Sequence, residues 1–265
     1  MGQDQTRPRA RYGGALIMNM LIRNALLALV AAIGFAGTVQ AADDVPLMHA
    51  GIDLSDKASL QRGAKYYMNY CAGCHSLKYQ RYSRMAEDLE LTEEEVKENL
   101  IFNSDTQMGE NINTGIDPKL GEEFFGKAPP DLSVISRVRG DDWIYSYLKS
   151  FYLDDTRPLG WNNTIFPNAS MPNVLWELQG LQHPQYGMLD ETGERPVTGM
   201  VVTQAGRLSA EEFDQVVRDI TAFLAYTGEP VILKRQQLGI WVLLFLAVFT
   251  FFAWLLKREY WKDVH

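Results

Sequence analysis

Two cysteines and a histidine stand together in Tyr70-Cys71-Ala72-Gly73-Cys74-His75, and these are the only two cysteines in the 265-residue chain. A C-x-x-C-H run is the attachment signature of a c-type haem. The two thiols add across the porphyrin vinyl groups as thioethers, and the adjacent histidine becomes the proximal iron ligand. Competing chemistries are poorly supplied. No disulfide framework exists beyond this one pair. Zinc needs more ligands nearby, and the chain holds only four histidines: His49, His75, His183 and His265. A thioredoxin-like redox pair sits beside a βαβ pattern, and no such pattern flanks this motif. One covalent haem c is the expected cofactor.

A low-spin electron carrier needs a sixth iron ligand, and a methionine thioether in that place raises the potential. The methionines downstream of the motif are Met85, Met108, Met171, Met188 and Met200. Met171 lies in Phe166-Pro167-Asn168-Ala169-Ser170-Met171-Pro172, a loop stiffened by two prolines. His75 and Met171 are therefore the expected iron ligands, whereas Met85 and Met108 read as core filler. His183 is the rival, in Gln182-His183-Pro184-Gln185, a stretch expected to be an exposed polar loop. A second rigid loop, Ala128-Pro129-Pro130-Asp131-Leu132-Ser133, can offer a carbonyl to the proximal histidine and fix its orientation. Arg137 and Arg139 follow it. Either can pair with a haem propionate, because arginine takes carboxylates in a bidentate way.

Helices must present these groups. Within residues 60–70, Gly63, Tyr67 and then Cys71 recur every four residues and share one helical face. The small residue permits close approach of a second helix. That partner is expected near the far end of the domain, where Ser209-Ala210-Glu211-Glu212 forms a capping box. Phe213, Val216, Val217, Ile220, Phe223, Leu224 and Tyr226 then make an apolar stripe, and Gly228 and Pro230 stop it. Two helices from opposite ends of a domain, crossing beside a haem, is the plan of the cytochrome c fold. The expected class is mostly α, with long loop insertions. Residues 91–100 read as a short acidic helix capped by Thr92. Residues 106–126 read as an insertion, 141–152 as a helix opened by acids, and 158–172 as a loop.

The ends suggest a compartment. Residues 1–41 read as a secretory signal: Arg7, Arg9, Arg11 and Arg23 supply charge, 25–36 an apolar core, and Val39-Gln40-Ala41 a cleavage site. Residues 238–256 form 19 uncharged positions, enough for a bilayer core of about 30 Å. Trp241 and Trp254 sit near its ends, and Lys257, Arg258 and Lys262 follow it as a cytoplasmic tail would carry them. The expected plan is a signal over 1–41, an exported haem domain over 42–233, an anchor over 234–257 and a tail over 258–265. Covalent haem attachment is a periplasmic process in bacteria, so export and the motif support each other. Residues 42–233 carry 16 basic and 30 acidic side chains, a net charge of −14. Such a surface steers basic partners and repels nucleic acid.

With these residues in view, the chain resembles the cytochrome c1 family, the haem c subunits of quinol–cytochrome c reductase (the cytochrome bc1 complex). The resemblance is carried by Arg62-Gly63 ahead of Tyr67 and by CAGCHSLKYQRY from Cys71 to Tyr82. APPDLS followed by Arg137-Val138-Arg139-Gly140 continues it, then FPNASMP around Met171, then Phe223-Leu224 and Glu229-Pro230 before the anchor. It spans about residues 50–258. The resemblance implies Cys71 and Cys74 as thioether sites and His75 and Met171 as axial ligands. It also implies a carbonyl of the Pro129–Pro130 pair, here Pro130, as the acceptor for His75, and Arg139 ahead of Arg137 as the propionate partner. It implies electrons taken from the Rieske iron–sulfur protein and passed to a basic cytochrome c, with cytochrome b as a further partner in a dimeric multi-subunit complex. It places the chain in a bacterial inner membrane, single-pass, with its haem domain in the periplasm and no substrate chemistry of its own. The chain departs from mitochondrial relatives in lacking further cysteines and in the composition of residues 83–127. Two rival readings are a cytochrome c subunit of a terminal oxidase or nitric-oxide reductase, whose anchor is more often N-terminal, and a haem sensor or peroxidase with an open iron position.

Overall fold

Asp56 opens helix α1 (Lys57–Tyr70) by accepting from the Ser59 amide at 3.1 Å, and the Cys71 amide closes it on the Tyr67 carbonyl. The computed structural model describes residues 46–189, 195 and 197–264; the expected signal over 1–41 lies outside them. The elements belong to one unit, Leu47–His265. After the C-x-x-C-H turn come β1 (Leu77–Arg81), α2 (Tyr82–Leu89), α3 (Glu93–Asn99), β2 (Asn111–Ile112) and α4 (Pro118–Phe125). Next are α5 (Ile135–Arg139), α6 (Asp141–Lys149), β3 (Phe151–Leu153), β4 (Trp161–Asn163) and α7 (Trp176–Gln179). β5 (Gly180–Tyr186), β6 (Val197–Ala205), α8 (Ala210–Gly228) and α9 (Ile232–Tyr260) complete the order. Roughly half of the described residues are helical, and the nine α-helices among them make the chain mostly α.

α1 and α8 make the most extensive helix pairing among the described residues. Leu60, Ala64 and Tyr67 join Val217, Ile220 and Phe223 in one buried cluster. Gly63 is the point of closest approach: a Cβ there would overlap the Asp219 carbonyl and Phe223 Cβ. A charged staple reinforces the crossing. The Asp219 carboxylate, 1% exposed, accepts from Arg62 Nε at 2.7 Å and Nη2 at 3.0 Å. It also accepts from Ser59 Oγ at 2.6 Å and Gln215 Nε2 at 2.8 Å. A buried carboxylate with four donors is compensated for its lost hydration.

Ser209 and Glu212 form the predicted capping box on α8, and Thr92 caps α3 as predicted, with Glu95 also closing a capping box there beyond that expectation. Four expectations are revised. Residues 106–126 are not irregular throughout: β2 pairs antiparallel with β1, and α4 starts on Pro118 behind an Asp117 cap. The helix expected over 141–152 ends at Lys149, because Phe151, Tyr152 and Leu153 pair with Asn163, Asn162 and Trp161. The same pairing puts a strand inside the 158–172 loop. His183 is exposed as expected, but it stands in β5, opposite Val201 of β6, rather than in a loop. The β-branched run of β6 supplies the pairing partner, with Pro184 opposite Met200 and the register irregular at Leu181/Gln182 and Gln185/Tyr186.

α9 is 29 residues long with a most apolar window of mean hydropathy 2.4, none of it buried. A helix of that length and composition suits a membrane span, and its all-round apolarity matches lipid on every side.

Candidate haem-binding site

The site begins where α1 runs out. The Cys74 and His75 amides donate back to the Cys71 carbonyl at 3.0 and 2.8 Å, so the motif is a tight turn on the helix end. Tyr67, one turn earlier and fully buried, donates its hydroxyl to the His75 carbonyl at 2.8 Å. Its ring packs 5.6 Å from that of Phe223 on α8, which ties the motif to the helix crossing. Segment 106–126 braces the other side. Thr114 Oγ1 donates to the Gly73 carbonyl at 2.6 Å, and the Thr114 amide donates to Ser76 Oγ at 2.9 Å.

The proline-rich loop is laid along β1 by its own polar residues. Asp131 Oδ2 accepts from the Lys78 amide at 2.9 Å and Oδ1 from the Ser133 amide at 3.0 Å, and the Leu132 amide donates to the Ser76 carbonyl at 2.9 Å. The register brings the Pro130 carbonyl to 2.8 Å from His75 Nδ1. A carbonyl only accepts, so Nδ1 carries the proton and the ring's free lone pair lies on Nε2. Burial pulls the His75 pKa below its ordinary value, against the opposing pull of the Pro130 carbonyl and Asp131. A neutral imidazole with one committed nitrogen has the protonation state of a metal ligand.

Cys71, buried, and Cys74, half-buried, are not joined in a disulfide. Burial, and secondarily Cys74, pushes the Cys71 thiol up to about 12, and burial raises Cys74. Such thiols lack the electropositive surroundings of a redox-catalytic pair. Among the described residues no group of three His, Cys, Asp or Glu side chains is placed to hold a metal ion, so the motif has no zinc-site companions. A porphyrin that accepts both thiols and brings its own iron fits this donor set.

Met171 is half-buried and packs against the core cluster. Met85 is fully buried in that core, and Met108 packs on it. Met188 is 91% exposed. The loop carrying Met171 is organised by the buried residues Asn162, Asn163 and Asn173, none of which stands out in the sequence. Asparagine-rich loops are common, and only the partners distinguish these three. The two arginines separate cleanly. Arg137 Nη1 is paired with Glu229 Oε2 at 2.9 Å, and the same carboxylate holds Arg235 at the start of α9. Arg139 instead lies over the rings of Trp143 at 5.0 Å and Phe166 at 5.7 Å, against the first residue of the Met171 loop.

Comparison with known proteins agrees with this geometry. The model of the Cytochrome C1 family matches residues 49–264. Cytochrome c1 of Allochromatium vinosum is 51% identical over 220 residues, 83% of this chain and 90% of that protein. The ammonia monooxygenase gamma subunit of Nitrosomonas europaea is 42% identical over 84% of this chain and 90% of its own length. Cytochrome b/c1 of Bradyrhizobium diazoefficiens is 26% identical over 79% of this chain, which covers 34% of that longer protein. With a family match over most of its length and a C-x-x-C-H turn built into the α1–α8 crossing, the chain belongs to the cytochrome c1 family.

Proposed function

We propose that the chain is the electron-carrying haem subunit of a bacterial quinol–cytochrome c reductase, taking single electrons from the Rieske iron–sulfur protein and handing them to a basic cytochrome c. The observation that carries this reading is the His75 ring at the C-x-x-C-H turn, with Nδ1 held by Pro130 at 2.8 Å and Nε2 left to a metal. Cys71 and Cys74 would hold the haem as thioethers, His75 and Met171 would ligate its iron, and Arg139 would pair with a propionate. Once bound, the haem supplies reversible one-electron chemistry and makes no bond to a substrate.

The protein's own residues set the conditions. Pro130 fixes the ring tautomer of His75. Tyr67 and Phe223 fill the space behind the motif and exclude water from it. Arg137 is committed to Glu229, which favours Arg139 for the propionate. The acidic domain, at −14 over residues 42–233, steers a basic acceptor to the haem edge. α9 anchors the chain in the inner membrane with the haem domain on the periplasmic side, beside cytochrome b in a dimeric complex. The relative named cytochrome b/c1 supports that pairing.

The test is purification of the tagged full chain from native membranes in mild detergent, followed by a reduced-minus-oxidised spectrum. Expected are co-purifying b haems, a Rieske signal and quinol-dependent reduction of the c haem. A c haem that arrives without b haem, or with a terminal oxidase, overturns the reading. The relative named ammonia monooxygenase gamma subunit favours a second reading, a haem domain serving another membrane oxidoreductase. Co-purification with a monooxygenase would select it.

A further inference from the structure

We infer that Asn163 is the positioning residue that holds Met171 in place for the iron, an inference that rests on the reading of Met171 as axial ligand. Asn163 ends β4 and is 1% exposed. Its Nδ2 donates to the Tyr147 carbonyl in the last turn of α6 at 2.8 Å. Its Oδ1 accepts from the Ile165 amide at 2.9 Å and the Phe166 amide at 3.1 Å. One side-chain amide thus joins the end of α6 to the first residues of the Met171 loop.

The neighbouring groups extend the same grip. Asn162 Oδ1 accepts from the Asn168 amide at 2.8 Å, and Asn162 Nδ2 donates to Asp154 Oδ2 at 2.8 Å. Asn168 itself has φ +64°, a left-handed turn that asparagine tolerates better than most residues. Beyond Met171, Asn173 Oδ1 accepts from the Leu175 amide at 3.0 Å, and Asn173 Nδ2 donates to Gln179 Oε1 at 2.9 Å. Gln179 Nε2 then donates to the Lys149 carbonyl at 2.9 Å. Both arms of the loop therefore return to carbonyls at the end of α6, Tyr147 on one side and Lys149 on the other.

An irregular loop has backbone amides with no ladder to join, and burying them unpaired is costly. Asn163 satisfies two such amides and one helix-end carbonyl without introducing a charge. Only a side chain that both donates and accepts does this. The consequence is geometric, because a site ligand has to be held within about 0.5 Å of its productive position. Proline stiffness limits the loop's conformations, but Asn163 decides where the loop sits relative to the helix.

The experiment uses the full chain, haem-loaded and in mild detergent. Asn163→Ala is expected to lose the weak long-wavelength sulfur-to-iron band of the oxidised haem and to gain carbon monoxide binding when reduced. Amide hydrogen exchange across residues 161–172 is expected to rise, with exchange in α1 and α8 unchanged. An Asn163→Ala protein that keeps the band, refuses carbon monoxide and exchanges normally overturns the inference. If that variant does not accumulate, Asn163→Asp decides. Its protonated carboxyl donates and accepts as the amide does, and its ionised form repels the Tyr147 carbonyl. Burial raises a carboxyl pKa, so Asn163→Asp should open to carbon monoxide as pH rises, while the parent, titrated alongside with Asp154 intact, should not. A closed iron at every pH overturns the inference. Met171→Ala separates the two claims. If it leaves the iron closed, the ligand reading fails; if it opens the iron while both Asn163 variants stay closed, only the present inference fails.

Discussion

One carbonyl decides how His75 presents its ring. The Pro130 carbonyl accepts a hydrogen bond from Nδ1 at 2.8 Å, and Tyr67 holds the His75 carbonyl through its hydroxyl. Removing the Tyr67 hydroxyl leaves a buried carbonyl unpaired, so Tyr67→Phe should cost about 1–3 kcal/mol of folding stability. Denaturant unfolding of the solubilised protein reads this, and a midpoint equal to the parent's would show that water replaces the hydroxyl. On the iron side, Met171→Ala should lower the midpoint potential and slow electron arrival, since the thioether is the ligand that raises it. A redox titration that returns the parent's potential would end the ligand assignment.

Helix crossings and turns govern the next scale. α1 and α8 approach so closely at Gly63 that one methyl group has no room. Gly63→Ala should destabilise the domain by about 1–3 kcal/mol and reduce the yield of haem-loaded chain, measured as pyridine haemochrome per protein. A fully loaded, equally stable Gly63→Ala would show that the helices can separate without loss. The β3–β4 turn predicts a pH response. The bond from the Thr156 hydroxyl, followed by that from Asn162, holds the Asp154 carboxyl below its ordinary value of 3.8. A lowered carboxyl gives stability that is full above the ordinary value and lost as pH falls through the lowered one. Protection of the amides in residues 154–163, taken relative to their intrinsic exchange at each pH, should therefore fall in acid, and Asp154→Asn should flatten that fall. A parent whose turn is equally protected in acid and at neutral pH would contradict it.

At the scale of the whole molecule, residues 42–233 are strongly acidic, and one long apolar helix, α9, follows them among the described residues. The −14 charge of residues 42–233 acts over a Debye length of about 10 Å at 0.1 M salt. Raising ionic strength should accordingly slow electron delivery to a basic cytochrome c, and a rate indifferent to salt would remove electrostatic steering from the account. The helix makes a separate prediction. A chain ended before Ile232 should leave membranes on washing while the full chain stays, because no residue of α9 is buried in the rest of the protein. Retention of the shortened chain would point to a second membrane contact in the haem domain.

Features set by near neighbours in sequence were legible without coordinates. The C-x-x-C-H spacing, the cap at Thr92, the capping box at Ser209, the four-residue recurrence of Gly63, Tyr67 and Cys71, and the uncharged run inside α9 all depend on residues a few positions apart. Those separations are the periods of a helix or the length of a membrane span. What required the tertiary structure was every choice of partner across long separations. Residue type and spacing do not distinguish Arg137 from Arg139, which only the family resemblance ranks, and in the fold Glu229, 92 residues from Arg137, claims the first. The strands β2, β3 and β4 are two or three residues long, too short to show alternation, so pairing rather than pattern creates them. Asn163 is one polar residue in a polar loop until Tyr147, Ile165 and Phe166 close around it. Hydrogen-bond chemistry is written in the residue type, but its direction and burial exist only once the chain has folded.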